Sequence, residues 1–122
     1  MDLASLSSLQ AEGFVGFKSV RNLRASRCAE VPKSPGVYLV LRDPSRPPSF
    51  LETSSGGHFK DKNPTVSQAE LRANWVDGAL VIYIGKAGGG SSQNDLQNRL
   101  LAYIRFGAGA RVGHWGGRFI WQ

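Results

Sequence analysis

The chain has 122 residues, enough for one domain with a modest core and too few for two. Its composition, 41% hydrophobic and 20% charged, excludes collagen-like and intrinsically disordered classes. Fifteen Lys and Arg against nine Asp and Glu give a net charge of +6, which favours an anionic partner, nucleic acid first, over a merely basic surface. The excess is local. From Tyr83 onward the basic residues are Lys86, Arg99, Arg105, Arg111 and Arg118, and Asp95 is the lone acid. Cys28 is the only cysteine, so no internal disulfide forms and a reducing cytoplasm is expected. It has no His or Cys at metal-ligand spacing and reads as a small buried residue. MDLASLSSLQAEGF lacks a basic start followed by an apolar run, unlike a secretory signal. The longest apolar stretch, 79–84, is too short for a bilayer, so a soluble protein without a membrane partner is expected.

Residues 1–34 read as a lead-in. Val20 and Leu23 recur at helical spacing, with Arg21, Arg24 and Arg27 on another side, which predicts a short amphipathic helix with a solvated basic face. Gly36-Val37-Tyr38-Leu39-Val40-Leu41 is β-branched and apolar and predicts the first strand. Arg42-Asp43-Pro44 ends it. Residues 45–64, rich in Pro, Ser and Gly, predict a long loop. Ser67-Gln68-Ala69-Glu70 fits a capping box and predicts a helix from about Ser67 to Trp75. Ala79 to Ile84 predicts a second strand, buried on both faces. Gly85 to Ser92 predicts a flexible loop, with Ser92 or Asn94 able to cap the next helix. That helix is predicted over 95–106, with Leu96, Leu100, Tyr103 and Ile104 as its apolar stripe and Gly107 as its stop. Residues 118–122 predict a third strand.

Two strands thus carry a tyrosine beside a glycine, Gly36-x-Tyr38 and Tyr83-x-Gly85. The following helix carries Arg99 on the flank of its apolar stripe. An arginine there either covers apolar surface with its stem or holds a phosphate, whose oxygens match the guanidinium fork. A strand tyrosine packs by default, with its hydroxyl at the rim. Together the three read as a site. Gly-Lys-Ala-Gly-Gly-Gly at 85–90 is no P-loop, since Gly-Lys-Ser/Thr at the required spacing is absent. His58 has no partner in its loop.

Gly-Val-Tyr at 36–38, Tyr-Ile-Gly-Lys-Ala at 83–87, Leu-Gln-Asn-Arg-Leu at 96–100 and the segment after His114-Trp115-Gly116-Gly117-Arg118, in that order, resemble the GIY-YIG nuclease superfamily. The resemblance runs from about Gly36 to the end. It implies an α+β fold with a small three-stranded, mostly antiparallel sheet flanked by helices. It also implies an endonuclease that hydrolyses nucleic-acid phosphodiesters, DNA ahead of RNA, with one divalent ion, Mg2+ or Mn2+. On this resemblance Tyr38 helps deprotonate the attacking water, Tyr83 orients water or phosphate, and Arg99 steadies the charge on the pentacovalent phosphorus. Tyrosine titrates near ~10, so a base role at neutral pH needs positive neighbours or a metal. Lys86 and His114 are further catalytic candidates, and Gly36, Gly85, Arg105 and Arg118 substrate-binding ones. Some relatives place a histidine one turn after the arginine. Tyr103 holds that position here.

The chain departs from the pattern twice. Residues 43–78 form an insertion between the first two strands, where relatives have a tight hairpin. The metal-binding glutamate of the family lies on a helix beyond the third strand, and the sequence ends at Gln122. Neither Glu70 nor Asp95 corresponds to it. A site without its metal ligand, and therefore catalytically incomplete, is expected of these 122 residues. Uncovered apolar residues at 119–121 would favour self-association. The alternative is a non-catalytic nucleic-acid-binding or protein-interaction module on the same fold.

Overall fold

The computed structural model describes residues 2–58, 60, 62–88, 94–110 and 120–121. Strand β1 is Gly36–Leu41, as the β-branched run predicts. Strand β2 is Val81–Ala87. It starts later than the apolar run suggested and continues through Gly85, Lys86 and Ala87, which the sequence assigned to a loop. The antiparallel ladder explains the difference. Gly36 faces Ala87, Val37 faces Lys86 and Tyr38 faces Gly85, so β1 supplies backbone partners to residues of weak strand propensity. The register slips between Val40, opposite Tyr83, and Leu41, opposite Val81, which leaves Ile82 as the extra residue of a bulge.

Burial on both faces of β2 is corrected. Gly85 and Ala87 are buried while Ile84 and Lys86 are exposed, and on β1 Tyr38 is buried while Val37 is exposed. With two strands and one packed face, the hairpin alternates as an antiparallel sheet with one solvated side should. The third strand, expected over 118–122, falls largely outside the described residues. Among the described residues the sheet has two strands, and Ile120 and Trp121 belong to neither. The Trp121 carbonyl instead accepts from Ser55 Oγ at 3.0 Å, a loop contact rather than a ladder bond. Arg118, Phe119 and Gln122 lie outside the described residues.

Helix α1, Leu6–Ala11, was not anticipated within the lead-in. Ser5 caps it and Leu9 is fully buried. Helix α2, Val20–Ser26, is the amphipathic helix expected, capped by Ser19 through the Asn22 N–H at 3.1 Å. Arg21, Arg24 and Arg27 are exposed. Helix α3, Gln68–Asn74, begins as the capping box predicts, with Ser67 Oγ accepting from the Glu70 N–H at 3.2 Å. Helix α4, Leu96–Gly107, is capped by Asp95, not by Ser92 or Asn94. An aspartate can do this because its carboxylate accepts from the Asn98 N–H, at 2.7 Å, and suits the positive end of the helix.

The core gathers where α4 meets α2 and the hairpin. Cys28, Tyr103 and Ile104 lie at its centre, surrounded by Val20, Leu23, Val31, Val40, Leu100, Leu101, Ile120 and Trp121. The lead-in therefore forms a wall of the domain. Gln97 Nε2 ties α4 to it by donating to the carbonyls of Cys28 at 3.2 Å and Val31 at 3.4 Å. Ile120 and Trp121 are half-buried against this core, so part of their surface is covered, and Phe119 lies outside the described residues. The large exposed apolar side chains include Val37 and Ile84, on the far face of the hairpin. No helix among the described residues is long and apolar enough to cross a membrane.

Candidate functional site

The ladder sets the site. Tyr38 lies opposite Gly85, and Tyr83 sits two residues before that glycine, so both tyrosines project from the same face. Their ring centroids are 6.2 Å apart, inclined at 41°. Gly85 makes room for this. A β-carbon there would fall 2.1 Å from Cζ of Tyr38, so the phenol ring lies directly over the glycine. Gly36 does the same for the helix, since a β-carbon on it would come 2.7 Å from Cδ1 of Leu96. The first turn of α4 thereby lies close to β1, and Arg99 is carried to the tyrosines.

At the centre the Tyr38 hydroxyl is hydrogen-bonded to Tyr83 and accepts from the Arg99 guanidinium. Tyr103, one turn beyond Arg99, completes the group. It is buried against Trp121, with ring centroids 5.1 Å apart. Burial pushes the Tyr38 hydroxyl well above the ordinary tyrosine range, Tyr83 adds to the rise, and Arg99 opposes it. Burial, then Tyr38 and Tyr83, push Tyr103 up as well. At neutral pH both phenols are protonated. The cluster is thus a hydrogen-bonding cradle with one fixed positive charge. It can hold an anionic oxygen, but Tyr38 needs positive charge beyond Arg99 to become a base.

The other candidates fall elsewhere. Lys86 pairs with Val37 and is exposed on the opposite face of the hairpin from Tyr38. Arg105 is exposed in the last turn of α4. Gly36 and Gly85 serve close packing, as above. His114 and Arg118 lie outside the described residues. Among the described residues no three His, Cys, Asp or Glu side chains gather.

One feature beside the cluster escaped the sequence reading. The insertion folds back over the hairpin and opens a cleft of about 380 Å³, whose walls include Arg42, Phe50, Trp75, Ile82 and Tyr83. Phe50 meets Trp75 edge-on, centroids 5.8 Å apart. The Arg42 guanidinium lies 5.2 Å over the Trp75 ring. It also donates to the carbonyls of Arg46 at 2.5 Å and Pro47 at 2.9 Å, which fastens the loop. The signal present in the sequence is the aromatic content of the insertion, Phe50 and Trp75 among it.

No protein-family model matches this chain. No curated protein and no solved structure matches it either.

Proposed function

We propose that the chain carries a GIY-YIG-type site for nucleic-acid phosphodiesters, with DNA as the first substrate and Tyr38, Tyr83 and Arg99 as the phosphate-facing residues. The observation that carries this reading is the hydrogen-bonded meeting of Tyr38 with both Tyr83 and Arg99. Three residues singled out by motif, from two strands and a helix, converge on one hydroxyl. A packing role for each alone would not require that convergence.

Arg99 binds a phosphate oxygen through its donors and neutralises charge as it grows on phosphorus. Tyr83 orients the incoming water or oxygen. Tyr38, held protonated, is a hydrogen-bonding group and not a base in the resting site. A divalent ion, when bound, would supply the extra positive charge that lets a phenol or water lose its proton. Among the described residues no three His, Cys, Asp or Glu side chains gather. Binding without cleavage by these 122 residues is the second reading.

Fluorescence anisotropy with a labelled DNA duplex at stepped KCl concentrations, run beside a plasmid-nicking assay with Mg2+ or Mn2+, tests both. Affinity that falls with salt, weakens in Arg99→Ala and comes with nicking lost in that variant supports the hydrolase. Salt-dependent binding with no nicking supports the binding module. Affinity indifferent to salt and to Arg99→Ala would overturn the phosphate site.

A further inference from the structure

We propose that the cleft between the insertion and the hairpin receives one unstacked nucleobase of a strand whose phosphate is held at Arg99. This rests on the phosphate reading above and names what the adjacent ground is for. Tyr83 belongs to both places. It is the hydrogen-bond partner of Tyr38 beside Arg99, and it lines the cleft. The two places adjoin at this side chain, so a ligand anchored by an anionic oxygen at Arg99 would carry its next chemical group toward the cleft. In a nucleic acid that group is a sugar bearing a base.

The lining suits a flat π-system. Trp75, Phe50 and Tyr83 provide aromatic surface, and Leu71 is a buried apolar wall. Phe50 braces Trp75 from its edge and Arg42 braces it from its face, so the indole is held in one orientation before any ligand arrives. The polar lining residues are Arg42, Ser49 and Asn74 beside the Tyr83 phenol, and the Arg42 guanidinium is taken up by the loop carbonyls of Arg46 and Pro47. Asn74 Nδ2 is already engaged with the Glu70 carbonyl at 2.9 Å. Stacking without an edge-reading pattern predicts tolerance of base identity. The cleft, at about 380 Å³, is also on the scale of a single nucleotide rather than a duplex. That fits one base leaving its stack, as in a single strand, and not an intact duplex.

The test uses the full chain and two short fluorescent probes, a deoxythymidine tetranucleotide and its tetrahydrofuran counterpart, which keeps every phosphate and lacks every base. Far-UV circular dichroism checks that each variant folds. The base-bearing probe should bind about tenfold tighter than the abasic one, on the scale of one base–aromatic stack. Trp75→Ala should remove that advantage and leave abasic binding unchanged. Phe50→Ala, which removes a brace but keeps the indole, should reduce it partly and serves if Trp75→Ala misfolds. Equal affinity for the two probes, with Arg99→Ala weakening both, overturns the base cleft and leaves the phosphate site standing. No salt-dependent binding of either probe overturns the phosphate site and the cleft with it.

Discussion

The phenol ring of Tyr38 covers Gly85, closely enough that a β-carbon on the glycine would sit 2.1 Å from Cζ and 2.4 Å from the hydroxyl oxygen. The second-motif glycine is therefore the seat of the first-motif tyrosine. The clash falls on a ring 6% exposed and fixed at its hydroxyl, so it cannot be relieved by a small swing. Gly85→Ala should cost about 1–3 kcal/mol in urea unfolding, the scale of an overpacked core. It should also weaken DNA binding by pulling the hydroxyl from Arg99. Gly36→Ala meets the mobile end of Leu96 instead and should cost less. Equal cost at both positions would sink the explanation.

This pair also marks how far the sequence could be read. The bounds of β1, the Ser67 cap and the amphipathic α2 were legible because each depends on neighbours in sequence: β-branching, a side-chain oxygen three residues from its N–H, an apolar period. The run of β2 through Gly85 and Lys86 was not, because those residues pair by virtue of β1 rather than their own propensity. Convergence of Tyr38, Tyr83 and Arg99 was legible only through their combined order. The cleft at Trp75 was hidden because its walls come from segments brought together by the fold of a loop.

Tyr38 is the hub of the hydrogen bonds, bonded to Tyr83 and accepting from Arg99. Tyr38→Phe keeps the ring over Gly85 but strips both bonds. It should destabilise the chain by about 1–2 kcal/mol, because buried polar groups lose a partner. A double-mutant cycle with Tyr83→Phe isolates their shared bond and should return a coupling of about 0.5–1.5 kcal/mol. Strict additivity of the two substitutions would show that the hydroxyls do not communicate.

Two phenols with raised ionisation make the fold sensitive to alkali. Tyr38 and Tyr103 both titrate above the ordinary value of 10.0 when folded. Below that value both states hold the proton and stability is unaffected. Above it the unfolded chain loses protons that the folded chain retains, so stability falls as pH rises. The slope should approach about 1.4 kcal/mol per pH unit for each tyrosine. Urea midpoints measured between neutrality and strong alkali should be level at first and then drop. Phenolate absorbance at 295 nm should show these two tyrosines ionising together with unfolding. Smooth ionisation of all three tyrosines near the ordinary value, in a chain still folded by circular dichroism, would contradict the burial of the cluster.

Asp95 fixes the start of the helix that carries Arg99. Its carboxylate accepts from the Asn98 N–H at 2.7 Å, and its backbone carbonyl accepts from the Arg99 N–H at 3.0 Å. The neighbouring Leu96 N–H donates to the Ser34 carbonyl at 2.9 Å, which ties this turn to the segment entering β1. Asp95→Ala should remove the cap at a cost of about 1 kcal/mol. Asp95→Asn keeps an accepting oxygen and should recover most of that loss, short of the part owed to negative charge at the helix N-terminus. The charge also bears on binding. An acid at the start of this helix opposes the approach of a phosphate, so Asp95→Asn should bind DNA somewhat more tightly than wild type at low salt, the gain fading as KCl rises. Asp95→Ala pits that gain against fraying of the Arg99 turn and should bind no better than Asp95→Asn. A cap loss that Asn does not rescue would mean that the Asp95 side chain contributes through something other than its hydrogen bond to Asn98.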